Sequence, residues 1–409
     1  MHPIAPPPSA ESFGPRPTEA LTAPRLIAVD FFRGLALVFV LLDHLDWSAG
    51  PILIRRWTPI GLGFSDGAEA FVFLSGLTFG WVYSARLLRD GLRRSLVKVL
   101  HRVLQIYIGY VITLLLIAAL SNAPIFMTDW TRNALRTGDG MTFSDALLRM
   151  LRMEAFPFGI DILGLYIVLL PCMLLLLVAS QRARWIVLAL SITAYVAVQP
   201  PLGWSAASPS WLSEWFFHPL AWQFIFLLGM LIGEHLRRTQ SSVPRNAVFA
   251  TIAAALVAFG LVYGLRREVV GLTGVSDRAV WEWGGLSKSW LVAKPRLGPV
   301  RVVHFLSVAY LAAYCLPEQS RLWNIRWLKP VIHTGRHSLP LYCFGTLLVY
   351  SAALPFYWYG NSPAVVIVVA VDACLLQFAL AWWLEQRRIR IAATPKVPAG
   401  AVTSPPDAA

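Results

Sequence analysis

The chain alternates long apolar runs with short polar stretches, most of them basic. A helix that crosses a bilayer needs about 20 predominantly apolar residues. Ten runs approach that length, at 26–46, 68–87, 101–121, 160–180, 185–200, 218–236, 246–265, 300–316, 335–355 and 363–384. The fifth and eighth are the shortest, whereas Val103–Thr128 and Asn246–Leu265 contain no charged residue. The pattern predicts an all-α fold, a polytopic membrane bundle of about ten transmembrane helices.

The polar stretches predict the orientation. Basic clusters follow the second run (Arg86, Arg89, Arg93, Arg94, Lys98, Arg102), the fourth (Arg182, Arg184) and the sixth (Arg237, Arg238, Arg245). They recur after the eighth (Arg321, Arg326, Lys329, Arg336) and the tenth (Arg387, Arg388, Arg390). The stretches after the fifth and ninth runs carry no Lys or Arg. Basic loops stay in the cytoplasm, so both termini are expected there. Segments 122–159 and 266–299 are longer and mixed in charge, and their Trp, Gly and Pro content predicts folded caps over an outward-facing opening. Pro/Ala-rich ends predict a disordered arm over 1–24, a membrane domain over 25–390 and a disordered tail over 391–409. Residues 1–24 lack the basic-then-apolar order of a cleavable signal peptide, and no internal repeat is visible.

Composition narrows the class. Of 409 residues 57% are hydrophobic and 14% charged, against about a quarter charged in soluble domains. The net charge of +13 lies in short clusters between apolar runs, a pattern of membrane topology. The bilayer is therefore the expected partner and nucleic acid is not. Cys172, Cys315, Cys343 and Cys374 lie in or beside apolar runs without CxxC spacing, which predicts neither disulfides nor a zinc site. The GxSxG, Walker, HExxH and GxGxxG patterns are missing, so hydrolase, ATP-driven and metalloprotease chemistry has no support.

The first run, RLIAVDFFRGLALVFVLLDHLDW, holds ionisable residues where lipid makes them costly. Arg33 and His44 are eleven positions apart, which on a straight helix is three turns plus about 20° and roughly 16 Å of rise. They share one face, Arg33 toward the cytoplasmic side and His44 toward the other. Imidazole suits general-base work. Asp30 stands three positions before Arg33, the spacing of a helical ion pair. The structural alternative makes Asp30–Arg33 a headgroup anchor and His44 an interfacial cap. Asp43 and Asp46 flank His44 but point elsewhere on an ideal helix.

A second cluster, FSDGAEAFVFLSG, puts Asp66 and Glu69 at the outer end of the second run, level with His44. Either could orient the imidazole; both could equally serve the helix dipole. Ser75 and Gly76 suit close helix packing. The run Arg86–Arg102 could bind phosphates or lipid or only set topology, with His101 and Arg102 opening the third run. Asp161, Tyr166, Trp222, Gln223, His337, Ser338 and Asp372 could line a substrate cavity or make interhelical hydrogen bonds, and His304 reads as structural.

At these positions the sequence resembles the acyltransferase-3 membrane acyltransferases, whose hallmark is an Arg and a His eleven positions apart in the first span. The segments DFFRGLALVFVLLDH, FSDGAEAFVFLSG, DILGLYIVLLP, HPLAWQFIFLLGMLIG and GRHSLPLYCFGTLL resemble the OpgC branch, the osmoregulated periplasmic glucan succinyltransferases, from about Ala28 to about Arg388. One departure is Gly164, where proline is usual in the family. The resemblance implies ten helices in the bacterial inner membrane. It also implies succinyl transfer from succinyl-CoA, a substrate and not a permanently bound cofactor, to periplasmic glucan hydroxyls. It makes His44 the catalytic base and Arg33 the holder of the donor. Asp30, His101 and Arg102 would assist with the donor, Asp66 and Glu69 would assist His44, and Asp161, Tyr166, Trp222, Gln223 and His337 would meet the acceptor. Succinate's second carboxylate needs a cation, for which Arg266, Arg267, Lys288, Lys294 and Arg296 are available. The alternatives are acetyl or another acyl group passed to a different envelope polysaccharide, and a proton-coupled transporter with Asp30, Arg33, Asp43, His44, Glu69 and Asp372 as its relay.

Overall fold

The computed structural model describes residues 26–49, 54, 57–122, 142–202, 215–240, 242–273, 289–318 and 320–393. The expected arms fall outside these residues, except that the last helix runs on to Ala393. The two expected caps are described only in part.

Among the described residues the secondary structure is helical, without strands. The helices are α1 (Ile27–Ala49), α2 (Pro59–Leu62), α3 (Gly67–Asn122), α4 (Phe143–Leu151), α5 (Asp161–Ala197) and α6 (Pro219–Thr239). They continue as α7 (Ala247–Thr273), α8 (Pro299–Cys315), α9 (Lys329–Arg336), α10 (Ser338–Ser351), α11 (Ala353–Tyr359) and α12 (Pro363–Ala393). Six helical segments are long and apolar enough to cross a membrane: α3, α5, α6, α7, α12 and the joined stretch Ser338–Tyr359.

That number differs from the expected ten for local reasons. The second and third runs fuse into α3 across a kink at Gly91, whose φ of 74° suits a residue without a Cβ. The fourth and fifth fuse into α5 across a kink at Ala183. Helix α8 has only 17 residues. The ninth run breaks into α9, α10 and α11. Helix α1 carries Asp30, Arg33, Asp43 and Asp46 within its 23 residues.

Helix α1 tolerates those charges because protein, not lipid, surrounds them. It lies against α3, α9, α10 and α12, and Asp30, Asp43 and Asp46 are buried. The carboxylate of Glu318 accepts the Ile27 and Ala28 N–H groups at 2.5 and 3.1 Å, satisfying donors at the start of α1. By contrast, only 17% of the apolar stretch of α7 is buried, so that helix turns its side chains to lipid.

The tightest crossing joins α3 to α6. A methyl group at Gly76 or Gly80 would collide with the Phe226 or Met230 carbonyl, and one at Gly229 or Gly233 with the Phe73 or Leu77 carbonyl. The two helices thus present GxxxG faces to each other and meet backbone to backbone. This close contact fixes the outer end of α3, and with it Asp66 and Glu69, against the rest of the bundle.

Candidate active site

His44 sits near the C-terminal end of α1 and lines a cavity of about 520 Å³. Asp43, Asp66, Asp161, Lys294 and Tyr342 line it as well. Aromatic rings supply much of the remaining wall. The His44 ring packs 4.8 Å from that of Phe158, which in turn stacks on exposed Trp47 at 6.2 Å and 18°. Gly159 lies against His44: a Cβ there would be 3.4 Å from Nδ1. The hydroxyls of Tyr342 and Thr346 both donate to the Gly159 carbonyl, which holds that loop beside the imidazole.

Arg33 occupies the same face of α1, toward its N-terminal end. The guanidinium donates to the Leu74 carbonyl at 2.9 Å and to Thr78 Oγ1 at 2.6 Å. Asp30, one turn before Arg33, accepts from Arg336 at 3.4 Å, because α9 lies against α1 and presents a second arginine. From Arg33 a row of side chains leads back to the cavity. Thr78 lies one turn from Ser75; the Tyr166 hydroxyl donates to Ser75 Oγ at 3.1 Å and to the Phe71 carbonyl at 3.2 Å. The Phe71 ring lies 5.8 Å from Tyr166 and 6.0 Å from Tyr342, and both Phe71 and Tyr342 line the His44 cavity. Arg33 and Arg102 are both within electrostatic reach of Tyr166. Side chains from α1, α3, α5 and α10 thus connect the two ends of the face that the helical period predicted.

Asp66 and Glu69 belong to a buried ion cluster under the cavity. Asp66 accepts from Lys294 at 2.8 Å and from Arg301 at 2.9 Å, and Glu69 accepts from Arg301 at 2.6 Å. The two acids also cap the start of α3, with the Asp66 N–H donating to Glu69 and the Ala68 N–H to Asp66, each at 2.8 Å. Burial alone would raise the Asp66 pKa; the Lys294 and Arg301 charges override it and hold the carboxyl well below its ordinary range.

The other expected residues are spread through the bundle. Asp161 lines the cavity and accepts the Ile162 N–H at 3.1 Å. Trp222 is fully buried and donates to the Lys294 and Pro295 carbonyls, both at 3.2 Å. Gln223 exchanges hydrogen bonds with Ser191 on α5. Neither is among the cavity's lining residues. His337 lies at the opposite end, 3.0 Å from Glu385. His101 and Arg102 are exposed and share Gln105. Asp372 is exposed on α12, and His304 Nδ1 pairs with Ser65 Oγ at 2.8 Å. Arg266, Arg267 and Lys288 fall outside the described side chains.

Sequence reasoning missed Arg301. The signal was available: an arginine at the start of one apolar run, with two acids at the start of another that the topology places on the same side. Asp43, which helical geometry turned away from His44, lines the same cavity and accepts from the buried Thr58 hydroxyl.

An all-helical membrane bundle, with a histidine in a cavity at one end of a charged helix and an arginine toward the other, fits the membrane acyltransferase class that the family match supports. The OpgC protein family model matches residues 25–389, and the chain belongs to the OpgC family. A search of curated proteins found no match.

Proposed function

We propose that this chain transfers succinyl from succinyl-CoA to hydroxyl groups of osmoregulated periplasmic glucans, as a multi-pass protein of the bacterial inner membrane. The observation that carries the reading is the His44 cavity, set at the end of the bundle away from the basic clusters and joined to Arg33 through Tyr166, Phe71 and Tyr342. The basic end faces the cytoplasm, where acyl-CoA is made, and the His44 end faces the glucan.

The walls of the cavity suit a sugar. The Trp47–Phe158 pair offers flat apolar faces, and carboxylates such as Asp161 offer acceptors for hydroxyl donors. His44 takes the proton from a glucan hydroxyl as its oxygen attacks the thioester carbonyl. The tetrahedral intermediate collapses by breaking the C–S bond, and the imidazolium returns the proton to the CoA thiolate. Each turnover leaves an ester and adds one negative charge to the glucan. Arg33, with Arg102 nearby, holds the donor from the cytoplasmic side.

The test is anion-exchange separation and mass analysis of periplasmic glucans from cells with and without the chain. One succinyl mass per added charge, lost in His44→Ala, is expected. Glucans unchanged by the presence of the chain would overturn the acceptor assignment.

A further inference from the structure

We propose that Lys294 receives the free carboxylate of the acyl group and thereby selects succinyl over neutral acyl donors. This rests on the acyl-transfer reading above. Among the described residues lining the His44 cavity, Lys294 is the one lysine or arginine. Burying a carboxylate in a largely aromatic cavity is costly without a cation, so the position of that cation decides which acyl groups are accepted.

The backbone that carries Lys294 is held rigidly. Four consecutive carbonyls, from Lys294 to Leu297, accept hydrogen bonds from α5, from Gln199 just after it, from α6 and from the residue preceding α6. Trp222 Nε1 reaches Lys294 and Pro295, both at 3.2 Å, and the His218 N–H reaches Pro295 at 3.1 Å. Gln199 Nε2 reaches Arg296 at 2.9 Å, and the Tyr195 hydroxyl reaches Leu297 at 2.7 Å. Trp222 and Gln199, neither of which lines the cavity, thus become supports for a residue that does.

The donor capacity and exposure of Lys294, rather than any surplus charge in the cluster, leave it able to take a further partner. Asp66 and Glu69 are balanced by Arg301 and Lys294, and Arg301 already binds both acids. An ammonium group has three donors, and Asp66 takes one of them at 2.8 Å. Lys294 is also the most accessible member, 24% exposed against 8% for Arg301, 2% for Asp66 and 0% for Glu69. Of the other acids on the wall, Asp43 accepts from Thr58 and Asp161 accepts the Ile162 N–H.

The experiment uses the purified full chain in detergent, with glucan as acceptor and three donors: succinyl-CoA, its methyl ester at the free carboxylate, and acetyl-CoA. The wild-type protein is expected to favour succinyl-CoA over its methyl ester by about ten- to a hundredfold in kcat/KM, the range of one charge-assisted hydrogen bond. Lys294→Met is expected to bring that ratio toward unity, and Lys294→Arg to restore most of it. Equal wild-type use of succinyl-CoA and its methyl ester would overturn the assignment while leaving acyl transfer standing; that arm does not depend on any variant folding. A parallel fall with every donor in Lys294→Met would also overturn it. Absence of transfer from all three donors by the wild-type protein would overturn the acyl-transfer reading and this inference with it.

Discussion

Two ion clusters, one at each end of the bundle, are built on different plans. At the basic end Glu385 gathers Arg336, His337 and Arg388 at 2.8, 3.0 and 2.7 Å, and Arg336 also reaches Asp30. The acids there are buried while the cations extend outward, with Arg388 49% exposed. At the His44 end Asp66, Glu69 and Arg301 are all buried, Asp66 at the cavity wall and the other two behind it. The first arrangement staples α1, α9 and α12 where arginine heads can reach headgroups and water. The second encloses charges where desolvation cancels much of their attraction, so apolar packing would serve stability at least as well. Under the proposed function, such a cluster beside His44 would serve to hold a cation, Lys294, at the wall of its cavity.

Several changes would break or sharpen that contrast. The largest effect is expected from His44→Ala, which should lower single-turnover acyl transfer by about 10²- to 10⁴-fold while the protein still reaches the membrane. Acyl transfer near the wild-type rate would remove His44 from the role of base. Next comes Arg301→Met, which leaves buried Glu69 without its cation and Asp66 with Lys294 alone, and should cost about 3–5 kcal/mol in stability, read by thermal unfolding in detergent. Adding Asp66→Asn and Glu69→Gln to that variant should recover part of the loss. If the single variant is as stable as wild type, the cluster is not buried as described.

Glu385→Gln should be milder, about 1–3 kcal/mol, because the amide still accepts hydrogen bonds and Arg388, 49% exposed, can turn to water, and acyl transfer should persist. A loss as large as that of Arg301→Met would erase the difference between the two ends. The smallest effect concerns pH. A carboxyl whose folded pKa lies below its unfolded value contributes stability above the unfolded value and loses it as pH falls through the folded one. Asp66 is held well below its ordinary 3.8. Its own contribution should therefore be complete by about pH 5 and be lost only as pH falls further, so the Asp66→Asn stability difference should shrink as the solution is acidified below about pH 4.

Part of the site was legible in the sequence. The shared face of Arg33 and His44 follows from helical period alone, and both residues lie on the row of contacts that leads to the cavity. For Arg301 the sequence offered only a charged run start on the same side as Asp66 and Glu69; that these residues, 235 positions apart for Arg301 and Asp66, actually meet was not legible. Asp30 illustrates the same limit. Spacing offered it Arg33 three residues on, whereas the contact with Arg336, 306 positions away, comes from the packing of α9 on α1.

The sequence by itself determined the helical membrane class, the approximate position of the apolar runs and the face of the first helix that carries reactive groups. Those properties are local: transfer into lipid depends on the residues of one run, and side-chain direction on the twist of one helix. Only the tertiary structure decided which charges meet, where α3 and α5 bend, and which lysine looks into the cavity. An ion pair inside a bundle is set by how helices cross, and crossings such as that of Gly76 and Gly80 with Gly229 and Gly233 depend on two surfaces at once.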